Sequence, residues 1–409
     1  MAHKGGYSGE AMQWVVTAGM LLGLPLLGIR LSGRQIADYL EFPPLTVHVH
    51  HAPFSWWVFI VFLFINIFLI AGIGFLLMAN LGHGHAVIRT RGQWPWWGWA
   101  GLLTLGGGWL LAWTRWEWFA AWQAHTFCLP WIGYILLANA WCQFRGWRSL
   151  LKDAPGRFLL LIPASALFWW FFEYLNRFVQ NWYYEGVTDF SPLSYIAFAS
   201  LAFATVLPAV LSTYRLLLSF PVFAGLADLY PLRISHPRMV AKVSLTAAGI
   251  GLACLGVFPD ALFALLWGSP LLIITSVQAL RGQPTIFSTL RDGDWRPPVA
   301  AALASLICGF FWELWNIGSL ARWSYAVPYV NRFHIFAMPV LGYGGYLPFG
   351  LECLVVGAMV MGHRPLALSS PLSTGDDAPT THTAFKSPGR VLPLRRRHTS
   401  GDAALWRRR

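Results

Sequence analysis

Uncharged apolar runs follow one another along the chain, most of them long enough to cross a bilayer as a helix. In order they cover residues 11–29, 54–79, 95–112, 126–144, 158–172, 193–210, 243–257, 261–280, 299–312 and 336–361. A backbone in lipid must satisfy its own polar groups, and a helix does so within one segment. Only 11% of the 409 residues are charged, less than half of the ~25% usual in soluble domains. This composition excludes a disordered chain, a coiled coil and an ordinary cytosolic enzyme. The expected fold is therefore all-α, a polytopic transmembrane helical bundle of about ten spans. Pro259-Asp260 is the sole break between two of the runs and reads as a tight helical hairpin. Eight or nine spans with one re-entrant piece is the alternative.

The charges orient the bundle. With the N-terminus inside and the spans alternating, 22 of the 29 Lys and Arg residues fall in inner loops or the tail, six in outer loops, and Arg215 at an inner helix end. The positive-inside rule then predicts both termini in the cytoplasm of a bacterial inner membrane, with membrane lipids as partners. It also accounts for the net charge of +12 without a nucleic-acid partner. The first ten residues are polar and the run 11–29 is long for a signal core, so it reads as a retained first span. The five cysteines form no CxxC pair and read as small hydrophobes. Three regions follow: 1–157 with four spans, a membrane core at 158–362 that contains a repeat, and a disordered basic tail at 363–409.

The repeat has a constant offset of 140 residues. Ala164-Ser165, Glu173, Asn176, Trp182-x-Tyr184 and Pro208 are matched by Ala304-Ser305, Glu313, Asn316, Trp323-x-Tyr325 and Pro348. Rare residue types in one order with one spacing are a repeat signal, and Trp and Tyr slip by a single residue that a loop absorbs. Two spans lie between the copies, so the copies run parallel.

Polar residues gather toward the outer side: Asp38, Glu41, His48, His50 and His51, then Glu117, His125, Glu185, Asp189 and His334. Glu173 and Asn176 share a helix face, as do Glu313 and Asn316. A carboxyl among aromatic residues must be paired or neutral. Two readings follow. In one, the carboxyls face a common cavity, one as proton donor and one stabilising a cation. In the other, Glu173 pairs with Arg177 and Glu313 with Arg322 to tie down outer loops. Glu352 lies inside the last run, a functional candidate or a packing hydrogen bond. His48-x-His50-His51 with Glu41 offers metal-binding side chains but matches no zinc signature, so no metal is expected. His83-x-His85 belongs to the opposite side. The sequence leaves any cofactor unidentified. The aromatic groups around Trp94 and Trp169 read as interface belts, or, at Trp182 and Trp323, as the wall of a pocket for a polyene or carbocation.

Across 168–213 and 311–355 the repeat resembles the membrane-bound, heterodimeric or fused type of lycopene cyclases, which are built of tandem membrane repeats. In that family an acidic residue on one helix is followed by a Trp-x-aromatic step and then by a Pro-linked Glu pair. Glu313, Trp323-x-Tyr325 and Met338-Pro339 through Glu352 follow this order, with a single Glu352 in place of the pair. The resemblance implies an enzyme acting on an isoprenoid or lipid. Glu173, Glu313, Glu352, Asn176 and Asn316 would then be catalytic and Trp182, Tyr184, Trp323 and Tyr325 substrate-binding. The other class open to the sequence is a non-enzymatic transporter, channel or membrane-complex subunit with an outer-side polar site. The sequence fixes no oligomeric state.

Overall fold

The computed structural model describes residues 5–44, 47–81 and 92–362. Lys4, His83, His85, Arg89, Arg91 and the basic tail lie outside the described residues, and so does that part of the charge asymmetry. Each of the ten apolar runs falls wholly or largely on helix. Six helices are long and apolar enough to cross a membrane: Met12–Leu31, Trp56–Ala79, Pro155–Val179, Pro192–Leu218, Arg296–Gly318 and Val340–Met361. Two bent pairs, Glu117–His125 with Cys128–Phe144 and Pro259–Leu266 with Ser269–Leu280, raise the number to eight if each pair is one span. The two remaining runs form the helices Trp96–Trp113 and Pro237–Cys254.

Local chemistry sets several helix starts. Proline stands in the first turn at Pro155, Pro192 and Pro237, where its missing N–H costs nothing. Ser191 caps its helix by accepting from Ser194 N. The run around Pro259-Asp260 is not a simple hairpin between two straight spans. A short helix and a 3₁₀ turn, Pro259–Leu266, bend by 55° into Ser269–Leu280. The run 336–361 is likewise only partly helical. A short strand and a 3₁₀ segment, Val340–Gly345, precede the helix Tyr346–Met361, because three glycines within six residues weaken the α-helix there.

Helices Pro155–Val179, Val206–Leu218, Arg296–Gly318 and Tyr346–Met361 supply the centre of the core, with Phe172, Leu207, Cys308 and Phe349 fully buried. Trp96–Trp113 packs on Cys128–Phe144 through small residues. A Cβ on Gly133 would fall 2.3 Å from Leu105 N, so only glycine permits this approach. Trp56–Ala79 buries Phe59 alone, and Asn66 is its one polar side chain.

Strand is confined, among the described residues, to two short pairs. One joins Trp182–Glu185 to Arg322–Tyr325, antiparallel, with Trp182 opposite Tyr325 and Tyr184 opposite Trp323. The helices that carry Glu173 and Glu313 therefore end at the same side of the bundle.

Candidate functional site

Glu173 and Glu313 each sit one turn before an asparagine that folds the chain back. Helix Pro155–Val179 stops at Gln180, whose φ of 49° is left-handed. Asn176 then clamps the turn: its Oδ1 accepts from Asn181 N at 2.8 Å and its Nδ2 donates to Trp182 O at 2.8 Å. Asn316 does the same beyond its own helix, donating to Trp323 O at 2.8 Å and accepting from Trp323 N at 2.9 Å. Both amides bond to the backbone of the returning chain. Side chains two apart on a strand share a face. The clamps and the strand pairing thus bring Trp182, Tyr184, Trp323 and Tyr325 back over the carboxyls.

Glu173 and Glu313 are both fully buried. Glu173 Oε1 accepts from Trp169 Nε1 at 3.0 Å, Trp182 Nε1 at 3.1 Å and the Tyr184 hydroxyl at 2.6 Å. Glu313 Oε1 accepts from the Tyr325 hydroxyl at 2.6 Å, the Tyr346 hydroxyl at 3.0 Å and Trp323 Nε1 at 3.4 Å. In both, Oε2 is buried without a partner among the described residues. Three donors thus converge on one oxygen of each carboxyl, and the other oxygen is left without one. Burial, and then the adjacent carboxyl, pushes the Tyr184 and Tyr325 hydroxyls well above the ordinary phenol range. They remain protonated donors.

The expected pairing of these carboxyls with arginines does not form. Arg177 donates to Glu41 O and lies 3.7 Å from Glu41 Oε2, while Arg322 binds Glu185 Oε2 at 2.8 Å. The clamps turn the strands so that aromatic donors, not guanidinium groups, reach the buried carboxyls. Arg322 stays near the surface, whereas the Arg177 side chain is only 10% exposed and turns to Glu41. Arg322 holds the Glu185 carboxyl below the ordinary carboxylate range.

Trp182, Tyr184, Trp323 and Tyr325 line one cavity of about 390 Å³, within the ~300–1,000 Å³ range of small-molecule sites. Trp169, Tyr346, Trp267 and Asn181 also line it, and sequence reasoning passed over all four as site residues. Trp169 was legible in part, since it stands one helical turn before Glu173. The other three come from bends and loops that spacing does not encode. Glu173 and Glu313 stand behind this aromatic wall. Glu352 is elsewhere. Its Oε1 accepts from Leu271 N at 2.9 Å, in the first turn of Ser269–Leu280, and it shares no hydrogen-bond partner with the other two carboxyls.

The histidines disperse. His51 Nδ1 lies 2.6 Å from Asp260 Oδ1, His48 packs edge-on to His50 and Tyr183, and His125 stacks on Phe198 at the cavity wall. Among the described residues no group of three His, Cys, Asp or Glu side chains is placed to hold a metal ion. No protein-family model matches the chain, and no curated protein or solved structure matches it.

Proposed function

We propose that the chain is a ten-span integral membrane enzyme with both termini in the cytoplasm. On this reading it arose by parallel internal duplication and acts on an isoprenoid or another lipid by proton transfer from a carboxylic acid. One observation carries this reading. Two buried carboxyls, each with three aromatic donors on one oxygen and none on the other, stand behind a single aromatic cavity. Protonating an alkene needs a neutral acid in a dry site. The carbocation that results is attracted by the faces of Trp and Tyr rings. Glu313 is the proton donor and Glu173 the cation-stabilising group, with the Tyr325 and Tyr346 hydroxyls between Glu313 and the cavity. The antiparallel register of Trp182–Glu185 with Arg322–Tyr325 supports the duplication, because it relates the two Trp-x-Tyr steps by a local two-fold. The resemblance to lycopene cyclases points the same way.

Organic extracts of cells with and without the gene test the reaction. A lipid consumed and a product gained are expected. Glu313→Gln keeps Oε1 for its three donors but removes the titrating proton. Product per molecule should fall by ~10²–10⁴, with normal abundance of the protein in the membrane. Loss of abundance at unchanged specific activity would overturn the catalytic reading.

A transporter, channel or complex subunit is the second reading, and the broken span favours it. The segment Val340–Gly345 leaves α-helical geometry where Leu341, Gly342 and Gly344 line the cavity. Broken helices at a binding site are a transporter feature. A bound lipid recovered unaltered, with no change in the extracts, would select it.

A further inference from the structure

The cavity wall is aromatic, but two polar side chains in it keep a buried atom without a partner among the described residues, His125 at Nδ1 and Asn181 at Oδ1. Asn181 lines the cavity and is only 4% exposed. Its amide Nδ2 donates to Phe263 O at 3.3 Å. A carbonyl oxygen can only accept, so this contact fixes which end of the amide is nitrogen. The other end is an acceptor, Oδ1, and it is buried with no partner among the described residues. Its backbone is held on both sides: Asn181 N donates to Asn176 Oδ1, and Asn181 O accepts from Ala326 N at 2.9 Å. Asn181 is thus held by two bonds of its backbone and one of its amide, which leave Oδ1 as an unpartnered acceptor. A buried acceptor without a donor costs free energy, so an occupant that supplies a donor gains over one that does not.

The sign of the donor follows from the charges. Arg322 is the charged side chain of the cavity wall, and the two carboxyls are sealed behind Trp and Tyr. Arg322 is already paired with Glu185, so a cationic head would lose its water there without an unpaired carboxylate to meet it. A neutral hydroxyl suffers no such penalty. We propose that the cavity takes an amphiphile whose neutral hydroxyl donates to Asn181 Oδ1, an isoprenoid or long-chain alcohol in preference to a hydrocarbon or an ammonium. The inference rests on the reading of this cavity as the ligand site and names the class of ligand.

The test uses the full chain in lipid nanodiscs, with quenching of tryptophan fluorescence as the readout, corrected for partition into the lipid. Three probes share one chain: farnesol, farnesyl methyl ether, which has no donor, and farnesyl amine, which is a cation. Farnesol should bind about tenfold more tightly than the ether. In Asn181→Leu that preference should vanish, with affinity for the ether kept within about twofold. Equal binding of alcohol and ether to the unaltered protein would overturn the inference, as it would if water rather than ligand satisfies Asn181. Tightest binding by the amine would overturn it too. Both of these results leave the cavity reading standing. Saturable binding of none of the three would remove the cavity reading and the inference with it. Should Asn181→Leu fail to accumulate, the comparison of alcohol and ether on the unaltered protein decides alone.

Discussion

A Cβ on Gly309 would lie 2.3 Å from two ring carbons of Tyr346, so the Tyr346 ring fills the space that a side chain at position 309 would need. From there its hydroxyl reaches Glu313. The residue 140 positions before Gly309 is Trp169, and the one 140 before Tyr346 is Val206. Trp169 supplies the third donor to Glu173 from its own helix. Large and small have changed places, and each carboxyl still receives three donors on one oxygen.

This exchange predicts a compensating pair. Gly309→Trp alone drives a large ring into Tyr346 and should destabilise by ~1–3 kcal/mol or more, the range for overpacked cores. Gly309→Trp combined with Tyr346→Val reproduces the arrangement at Glu173 and should recover most of the loss. Thermal unfolding in detergent reads both. Losses that simply add would show that the two positions do not trade space.

The asparagine clamps predict a stability effect ahead of any effect on chemistry. Asn176→Ala and Asn316→Ala each strand a backbone C=O and N–H around Trp182 or Trp323. Each should cost ~1–3 kcal/mol per buried group left unpaired. Asn→Asp turns a carboxylate oxygen on the Trp182 or Trp323 carbonyl in a fully buried site, so it should be no milder than Ala. Near-natural melting of both Ala variants would contradict the clamp.

Most of the helical frame was legible because apolar length is a one-dimensional signal. The runs at 54–79 and 299–312 fall on Trp56–Ala79 and Arg296–Gly318. The carboxyls and the Trp-x-Tyr steps were legible for a similar reason, since order and offset survive in sequence. Their partners were not. Arg177 and Arg322 stand close to Glu173 and Glu313 along the chain, yet Asn176 and Asn316 turn the chain so that Trp and Tyr side chains reach the carboxyls. The third donor at Glu313 comes from 33 residues away, through space opened by a glycine. Such a contact depends on packing between helices, which no local period records. The Glu352 contact with Leu271 N is of the same kind.

The Glu185–Arg322 pair joins the two strands at their open end and gives a pH dependence of known sign. Arg322 Nε and Nη2 donate to Glu185 Oε2 at 3.0 and 2.8 Å, and Ser324 donates to Oε1 at 2.9 Å. The Glu185 carboxyl is thereby held below its ordinary value of 4.5, with the Arg322 bond as the largest cause. A depressed carboxyl contributes stability that is present above the unfolded value and is lost as pH falls through the folded value. The pair is solvent-exposed, so its contribution is under ~1 kcal/mol. Melting curves from neutral pH to well below 4.5 should show a small acid-side loss in the natural chain. The same loss should be absent in Glu185→Gln. An unchanged acid slope in that variant would contradict the assignment.

Glu352 separates a structural carboxyl from a chemical one. Its Oε1 accepts from Leu271 N, one of the first N–H groups of Ser269–Leu280, which have no acceptor within the helix. An acceptor placed there also suits the positive end of the helix dipole. Glu352→Gln keeps an oxygen acceptor of the same reach and removes the proton and any charge. Stability and turnover should therefore stay near those of the natural chain. Glu352→Leu removes the acceptor, strands Leu271 N in a buried site and should cost ~1–3 kcal/mol. Unfolding in detergent and product per molecule are measured on both. Normal stability with lost turnover in Glu352→Gln would bring Glu352 into the chemistry, as the resemblance to lycopene cyclases implies. Normal turnover in Glu352→Gln beside a destabilised Glu352→Leu would leave the chemistry to Glu173 and Glu313, the two carboxyls behind the aromatic wall.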